Sequence, residues 1–542
     1  MKKTFSLLLI LTLSLTLAAC TPKTDDTVDC DLYPTHTDCL VDPDDEVDCT
    51  TDPTNEECSN EEPPLDCETD PDNELCDNEV PADFLDIYYI NDFHGAILPD
   101  SDQLGMAYIA NFLVTKKEAN PDNVIILAGG DILQGTALSN YYDGYSTISM
   151  MNEMYFDAYT LGNHEFDWGL NTVTAYFDGN SENGEANFPL LGANVFYEGT
   201  RNIPEGIDPY VIIERAGLKI GIIGTMGYGL ESSIATSKIT GYEFAEPVPI
   251  ISDYSYYLRT VEKVDMVFVV SHDSGAINED VAALSGNYRV DAIFNAHSHR
   301  NYALTNLGIP VIQSGSSGEF VGHIRFTFND EGMLEAYSAE NLDFYDSDLF
   351  HTQNSAVQAL IDKYQLETDD LFNDPIITAG EKLSQSELTY WIARLMRITT
   401  DSDIAFHNIG GTRTSIDDGD TINLGVLYQV WPFDNVVKTV WLTGAQINAF
   451  KAGAGSYYDT EIDVFDDDTY YKVATNDYVF DKDYYPFING MYPENTGLLL
   501  RDIAVSELEL QATLYSSFLT TNPILSPTMI PIVDDPVFDT RY

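Results

Sequence analysis

The sequence predicts an α/β fold of stacked helix and sheet layers, followed by a second folded unit that begins near Asp374. Two observations carry this. After Asp83, short uniformly apolar runs alternate with polar, helix-like stretches, the pattern of layered β and α structure. The chain also has 542 residues, more than one hydrophobic core usually serves, and 44% of them are hydrophobic, enough for two cores.

The first nineteen residues read as an export signal and not as part of the fold. Lys2 and Lys3 form a positive start, Phe5 to Leu17 an apolar stretch, and small residues follow. The ending Leu17-Ala18-Ala19-Cys20 resembles the lipobox of bacterial lipoproteins. That resemblance implies cleavage before Cys20, acylation of its sulfur, and a lipid anchor as the sole membrane attachment on the extracellular side. No later run approaches the roughly 20 apolar residues needed to cross a bilayer.

Residues 20–82 change abruptly to Asp, Glu, Thr, Pro and Cys. Cys30, Cys39, Cys49, Cys58, Cys67 and Cys76 follow one another at steps of nine or ten residues, which marks an internal repeat. With few apolar side chains no ordinary core forms, so disulfides must do the ordering. The repeat unit favours local loops 30–39, 49–58 and 67–76. Close Cys-x-x-Cys spacing is missing, which argues against zinc. A solvated spacer is the reading preferred over calcium-binding loops. The net charge of −64 excludes binding of nucleic-acid polymers or anionic lipid through a basic face.

In residues 83–350 the informative polar side chains fall just after the apolar runs. Phe84 to Ile90 leads into Asp92 and His94, Val124 to Ala128 into Gly129-Gly130-Asp131, and Ala158 to Leu161 into Gly162-Asn163-His164-Glu165-Phe166-Asp167. Met266 to Val270 leads into His272, and Ala292 to Phe294 into His297 and His299. Sites in open α/β sheets form at such strand ends. Five of the nine histidines sit in these segments. His, Asp and Asn together suit zinc, manganese, iron or cobalt better than calcium. Residues i and i+2 of a strand share a face, so Asp92 with His94, and His297 with His299, are expected to project together. Seven ligands are too many for one ion and fit two divalent ions sharing a carboxylate, an arrangement suited to polarising a phosphoryl group.

In this order the motifs resemble those of the calcineurin-like metallophosphoesterases, and Gly-Asn-His-Glu-Phe-Asp with a following domain resembles the 5′-nucleotidase branch. The resemblance implies a four-layer αββα domain and an α+β substrate-binding domain over 374–535, and the polar amphipathic stretch around Ser355 to Thr368 reads as a connecting helix over 351–373. The resemblance assigns Asp92, His94, Asp131 and His299 to one metal. Asp131, Asn163, His272 and His297 go to the other, with Asp131 bridging. His164 matches the family's catalytic histidine and Asp167 the carboxylate that holds it.

In the second unit, Asn408-Ile-Gly-Gly411-Thr-Arg413 offers glycines for close backbone approach to a ligand and a planar cation for phosphate. It resembles the family's Asn-x-Gly-Gly-x-Arg segment. Phe433 with Asn435, and Tyr478 on an expected strand from Tyr471, resemble the segments that stack on a nucleobase. Where the family has Gly-Gly-Asp-Gly-Tyr, this chain has Asp481-Lys482-Asp483-Tyr484-Tyr485, with Asp483 keeping the acidic position. The segment Ser384 to Glu387 lacks an arginine found in some relatives. The resemblance implies hydrolysis of extracellular nucleoside phosphates. Cyclic or sugar nucleotides are a second substrate class, and a non-catalytic surface binding protein is the contrasting reading.

Overall fold

The computed structural model describes residues 83–100, 103–181, 184–453 and 457–525, all within one compact unit. The export signal, Cys20 and the cysteine repeat lie outside the described residues. Among those described, no helix is long and apolar enough to cross a membrane.

Two six-stranded sheets form the first domain. The first runs in the order Leu334–Leu342, Val321–Phe328, Phe84–Ile90, Val124–Ala128, Ala158–Thr160 and Leu190–Leu191. The second runs Asn301–Leu304, Val311–Ser314, Ala292–Asn295, Met266–His272, Leu218–Met226 and Tyr210–Arg215. Central strands pair in parallel, and antiparallel strands close every edge but that of Leu190–Leu191, which pairs in parallel. The strand Val-Ile-Ile-Leu-Ala and the stretch Met-Val-Phe-Val-Val of strand Met266–His272 are apolar because both of their faces are covered.

The covering layers follow from the side-chain alternation. Leu85, Ile87 and Tyr89 face Ile220, Ile222, Phe268 and Phe294 in a core between the sheets. Tyr88 and Ile90 point the other way, into a core with Ile109, Phe112 and Leu113 of helix Met106–Ala119. Ile251 and Leu258 of helix Pro247–Thr260 cover the outer face of the second sheet. The result is the expected αββα stack.

Helix Ser355–Phe372 leads to the second domain. Asn354 caps it, accepting from the amides of Ala356 and Val357. Its buried positions, Val357, Ile361, Tyr364, Thr368 and Phe372, make one stripe at helical spacing. The ring of Phe372 packs against Tyr141 of the first domain and Tyr428 of the second.

The second domain is α+β. Its five-stranded sheet runs Tyr457–Thr460, Ile404–His407, Tyr470–Asn476, Val436–Thr443 and Met491–Leu499. Ala405 and Ala474 face Trp391, Ile392 and Leu395 of helix Gln385–Thr399. Ile404, Phe406 and Val473 face Phe450, Phe480 and Phe487 on the other side. Ser384 and Glu387, from the segment that lacks the arginine of some relatives, form a capping box at the start of that helix. Tyr478 is not on a strand, because the strand ends at Asn476, whose side chain caps the short helix Asp477–Phe480.

Candidate active site

Most of the candidate ligands leave their strands before they reach the site, whereas His272 is the last residue of its strand. Asp92 and His94 follow a strand that ends at Ile90, and His297 and His299 follow one that ends at Asn295. Strand pleating therefore does not align the pairs: Asp92 and His94 still project into one group, whereas His297 and His299 do not. Asp92, His94, Asp131, His297 and His299 all have left-handed backbone, with φ between 47 and 68°. Asp and His tolerate this region better than most residues, yet each such position costs on the order of 1 kcal/mol or more. The turns aim the side chains out of the sheet edge, and His297 and His299 diverge into different groups.

Glycines permit the close approach. A Cβ on Gly130 (φ 86°) would fall 2.6 Å from the Gly162 nitrogen and from Nδ1 of His272, and one on Gly129 would strike the Tyr89 hydroxyl. Gly129 and Gly130 therefore let the loop of the first sheet meet the end of the second.

Two ligand groups result. Asp92, His94 and His299 form one, and Asp131, His272 and His297 the other, the ligand atoms of each lying within 4.8 Å of one another. Asn163 joins the second, its Oδ1 2.8 Å from His297 Nδ1 and 3.3 Å from His272 Nε2. Nδ1 of His94 donates to the Gln134 carbonyl at 3.0 Å, and Nδ1 of His272 to the Gly129 carbonyl at 2.8 Å. Both leave Nε2 as the ligand atom. Asn91 steadies Asp92, donating to its Oδ2 at 2.7 Å, and accepts from the Ser314 amide of the other sheet.

The electrostatics fit cations. Burial pushes Asp92 up to about 7; His272 opposes the rise and the charge of Asp131 adds to it. Burial also acts to raise Asp131, but His272 and His164 outweigh it and hold the carboxyl well below its usual range. Burial lowers His94, and burial with the nearby Arg413 lowers His299 to about 4. Two neutral imidazoles thus face each other, Nε2 to Nε2, at 3.2 Å. Converging lone pairs beside crowded buried carboxylates are what a divalent ion relieves, so these residues fit the metal ions that the sequence implies.

His164 borders this cluster. Its Nδ1 lies 2.8 Å from Oδ2 of Asp167, and its amide donates to Oδ1 of Asp131 at 2.8 Å. Burial would lower its pKa, but Asp167 and Asp131 outweigh burial and the net shift is upward. Sequence reading passed over Glu165. This buried carboxylate accepts from the amides of Asp131 (2.9 Å), Ile132 (3.1 Å) and Gly162 (2.7 Å), and from the Tyr159 hydroxyl. It ties the Asp131 loop to the Asn163 loop. A charged residue between Leu161 and Phe166 was the available signal.

Residues of both domains line a cavity of about 290 Å³. Asp131, Asn163, His164, Asp167, His297 and His299 border it from the first domain, and Asn408, Gly411, Arg413, Phe433, Asn435 and Tyr478 from the second. Arg413 is exposed and makes no ion pair among the described residues, and its guanidinium lies 6.0 Å from the Phe433 ring centre. Gly411 is glycine because a Cβ would meet the His407 ring at 2.7 Å, whereas Gly410 opens on the cleft. Asn435 donates to Asp477 at 2.9 Å, and Asn408 accepts from Asn476 at 2.8 Å. Asp483 is exposed and does not line the cavity. Sequence reading also missed Ser233, Ala235 and Lys238, first-domain residues that border the cavity without any recognisable motif.

Comparison with known proteins agrees with this geometry. Residues 85–301 match the calcineurin-like phosphoesterase family, and residues 368–452 match the 5′-nucleotidase C-terminal domain. Cell wall protein Lmo0130 of Listeria monocytogenes is 26% identical, over 67% of this chain and 55% of its own length. The chain thus spans little more than half of that relative. A 5′-nucleotidase of Vibrio cholerae is also 26% identical, over 67% of this chain and 74% of its own. In fold, the chain resembles a 5′-nucleotidase precursor from Thermus thermophilus, with a TM-score of 0.66 and 22% identity over 79% of this chain and 96% of the other. With both domains present in this order, the chain belongs to the 5′-nucleotidase family.

Proposed function

We propose that this protein hydrolyses nucleoside phosphates on the extracellular side of the membrane, held there by a lipid on Cys20, using two divalent ions. The observation that carries the reading is a single cleft bordered by both ligand groups, His164, Arg413, which makes no ion pair among the described residues, and the aromatic rings of Phe433 and Tyr478. Asp92, His94, Asp131 and His299 hold one ion, and Asp131, Asn163, His272 and His297 the other, with Asp131 shared. Zinc, manganese, cobalt and iron all suit this donor set. Bound there, the ions supply Lewis-acid polarisation of a phosphoryl group and lower the pKa of the attacking water.

The chain's own groups do the rest. Arg413 meets the phosphate as a planar double donor. Phe433 and Tyr478 offer ring faces to the base, which stacking recognises with little selectivity among bases. His164 stabilises charge on the phosphoryl oxygens or assists the leaving group, and Asp167 fixes its ring through Nδ1. The name of the Listeria relative, a cell wall protein, and the export signal support an extracellular site. The deciding experiment assays purified protein with several metals against mono-, di-, cyclic and sugar nucleotides. Preferred release of phosphate from nucleoside monophosphates is expected. Binding of nucleotides without turnover under any metal would overturn the reading.

A further inference from the structure

Lys482 stands where the family pattern has flexible glycines, and it is only 4% exposed. Its ammonium donates to the carbonyls of Ser232 at 2.5 Å and Ile234 at 2.8 Å, both in the first domain. It also lies 4.3 Å from the centre of the Tyr478 ring. Among the described residues it makes no ion pair, and the neighbouring Asp481 carboxylate is engaged by Lys438 at 2.7 and 2.8 Å. A buried ammonium satisfied only by carbonyls is a poor stability device, since an apolar residue of the same length avoids the desolvation cost. What it does uniquely is aim three donors at fixed points.

The points it reaches are rigid. Ile234 is fully buried in the core of the first domain, so the loop is rooted there. The Thr236 hydroxyl returns a bond to the Asp481 carbonyl at 2.9 Å, and the Tyr478 hydroxyl reaches the Ser232 carbonyl at 3.4 Å. Ser233, Ala235 and Lys238 of this loop border the same cleft as Tyr478.

We propose that Lys482 is a positioning residue that latches the second domain to residues 232–236 of the first and so sets the position of Tyr478 for a nucleobase. The proposal rests on the reading of Tyr478 as a base-stacking residue. The cation on the ring and the two carbonyls fix one geometry, whereas glycines would leave the segment free to move.

The test compares Lys482→Met with wild type in the metal-loaded full chain. The KM for AMP should rise about tenfold, the scale of one weakened stacking contact, while kcat/KM for p-nitrophenyl phosphate stays within about twofold. Amide exchange over 230–238 should accelerate in the same variant. Thr236→Val, which changes no buried charge, should shift both readouts in the same direction by less, and it serves if Lys482→Met does not fold. Phe433→Ala is measured in parallel. If Phe433→Ala raises the AMP KM and the two latch variants do not, the latch is wrong. If none of them raises it, the base-stacking reading itself fails, and unchanged amide exchange at 230–238 would then dismiss the latch on its own account.

Discussion

The imidazole of His164 lies nearly parallel to the ring of Phe433, with centroids 5.7 Å apart and planes 18° from each other. A residue of the first domain thus packs on a residue of the second, so under the proposed function chemistry and recognition share one contact.

Phe433→Ala should therefore act on both. Loss of a stacking face should raise the KM for AMP about tenfold, and the loosened His164 should lower kcat by a further factor of about three. Steady-state kinetics on AMP separate the two effects. An unchanged KM would mean that this ring does not meet the base.

His164→Ala should keep its metal content and lose about 10²-fold or more in turnover, the usual size of a positioned acid or charge-stabilising group. Asp167→Asn keeps the ring in place with a weaker partner and should lose less. Metal analysis beside kinetics checks both, and normal turnover in the His164 variant would assign its role elsewhere.

Metal removal should abolish activity, and manganese, zinc or cobalt should restore it, with close to two ions bound per chain. Among ligand changes, Asp131→Asn should be the most damaging. Its carboxylate touches His272 at 3.1 Å and the His164 amide at 2.8 Å, so both the second group and the catalytic loop depend on it. Elemental analysis of the chelated and reloaded protein gives the count, and full activity in metal-free protein would contradict the two-metal reading.

Glu165→Gln should destabilise the fold by about 2–3 kcal/mol, since hydrogen bonds to a buried charged acceptor are among the strong ones and the amide turns an NH2 toward donors. Because Glu165 spans the Asp131 and Asn163 loops, metal affinity should fall with it. A denaturant melt and a metal titration report the two separately. An unaltered metal affinity would show that the loops hold their shape without this carboxylate.

Much of this protein was legible in one dimension. Short uniform apolar runs such as Val124 to Ala128 fit strands covered on both faces, and a polar break after each marks the sheet edge. The donor types of Asp92, His94, Asp131, Asn163, His272, His297 and His299 follow from spelling alone, because ligand chemistry belongs to the side chain. Other features depended on which segments meet in space. Strand geometry wrongly paired His297 with His299, since left-handed turns beyond the last strand residue send them to different groups. Glu165 is a keystone only because three amides from two loops converge on it. Asp483 kept the family's acidic position yet faces solvent, while Lys482 beside it is buried against the other domain. Residue identity determines what an atom can bind. Only the packing of two sheets and two domains decides which atoms come within reach, because those distances are set by contacts hundreds of residues apart in the chain.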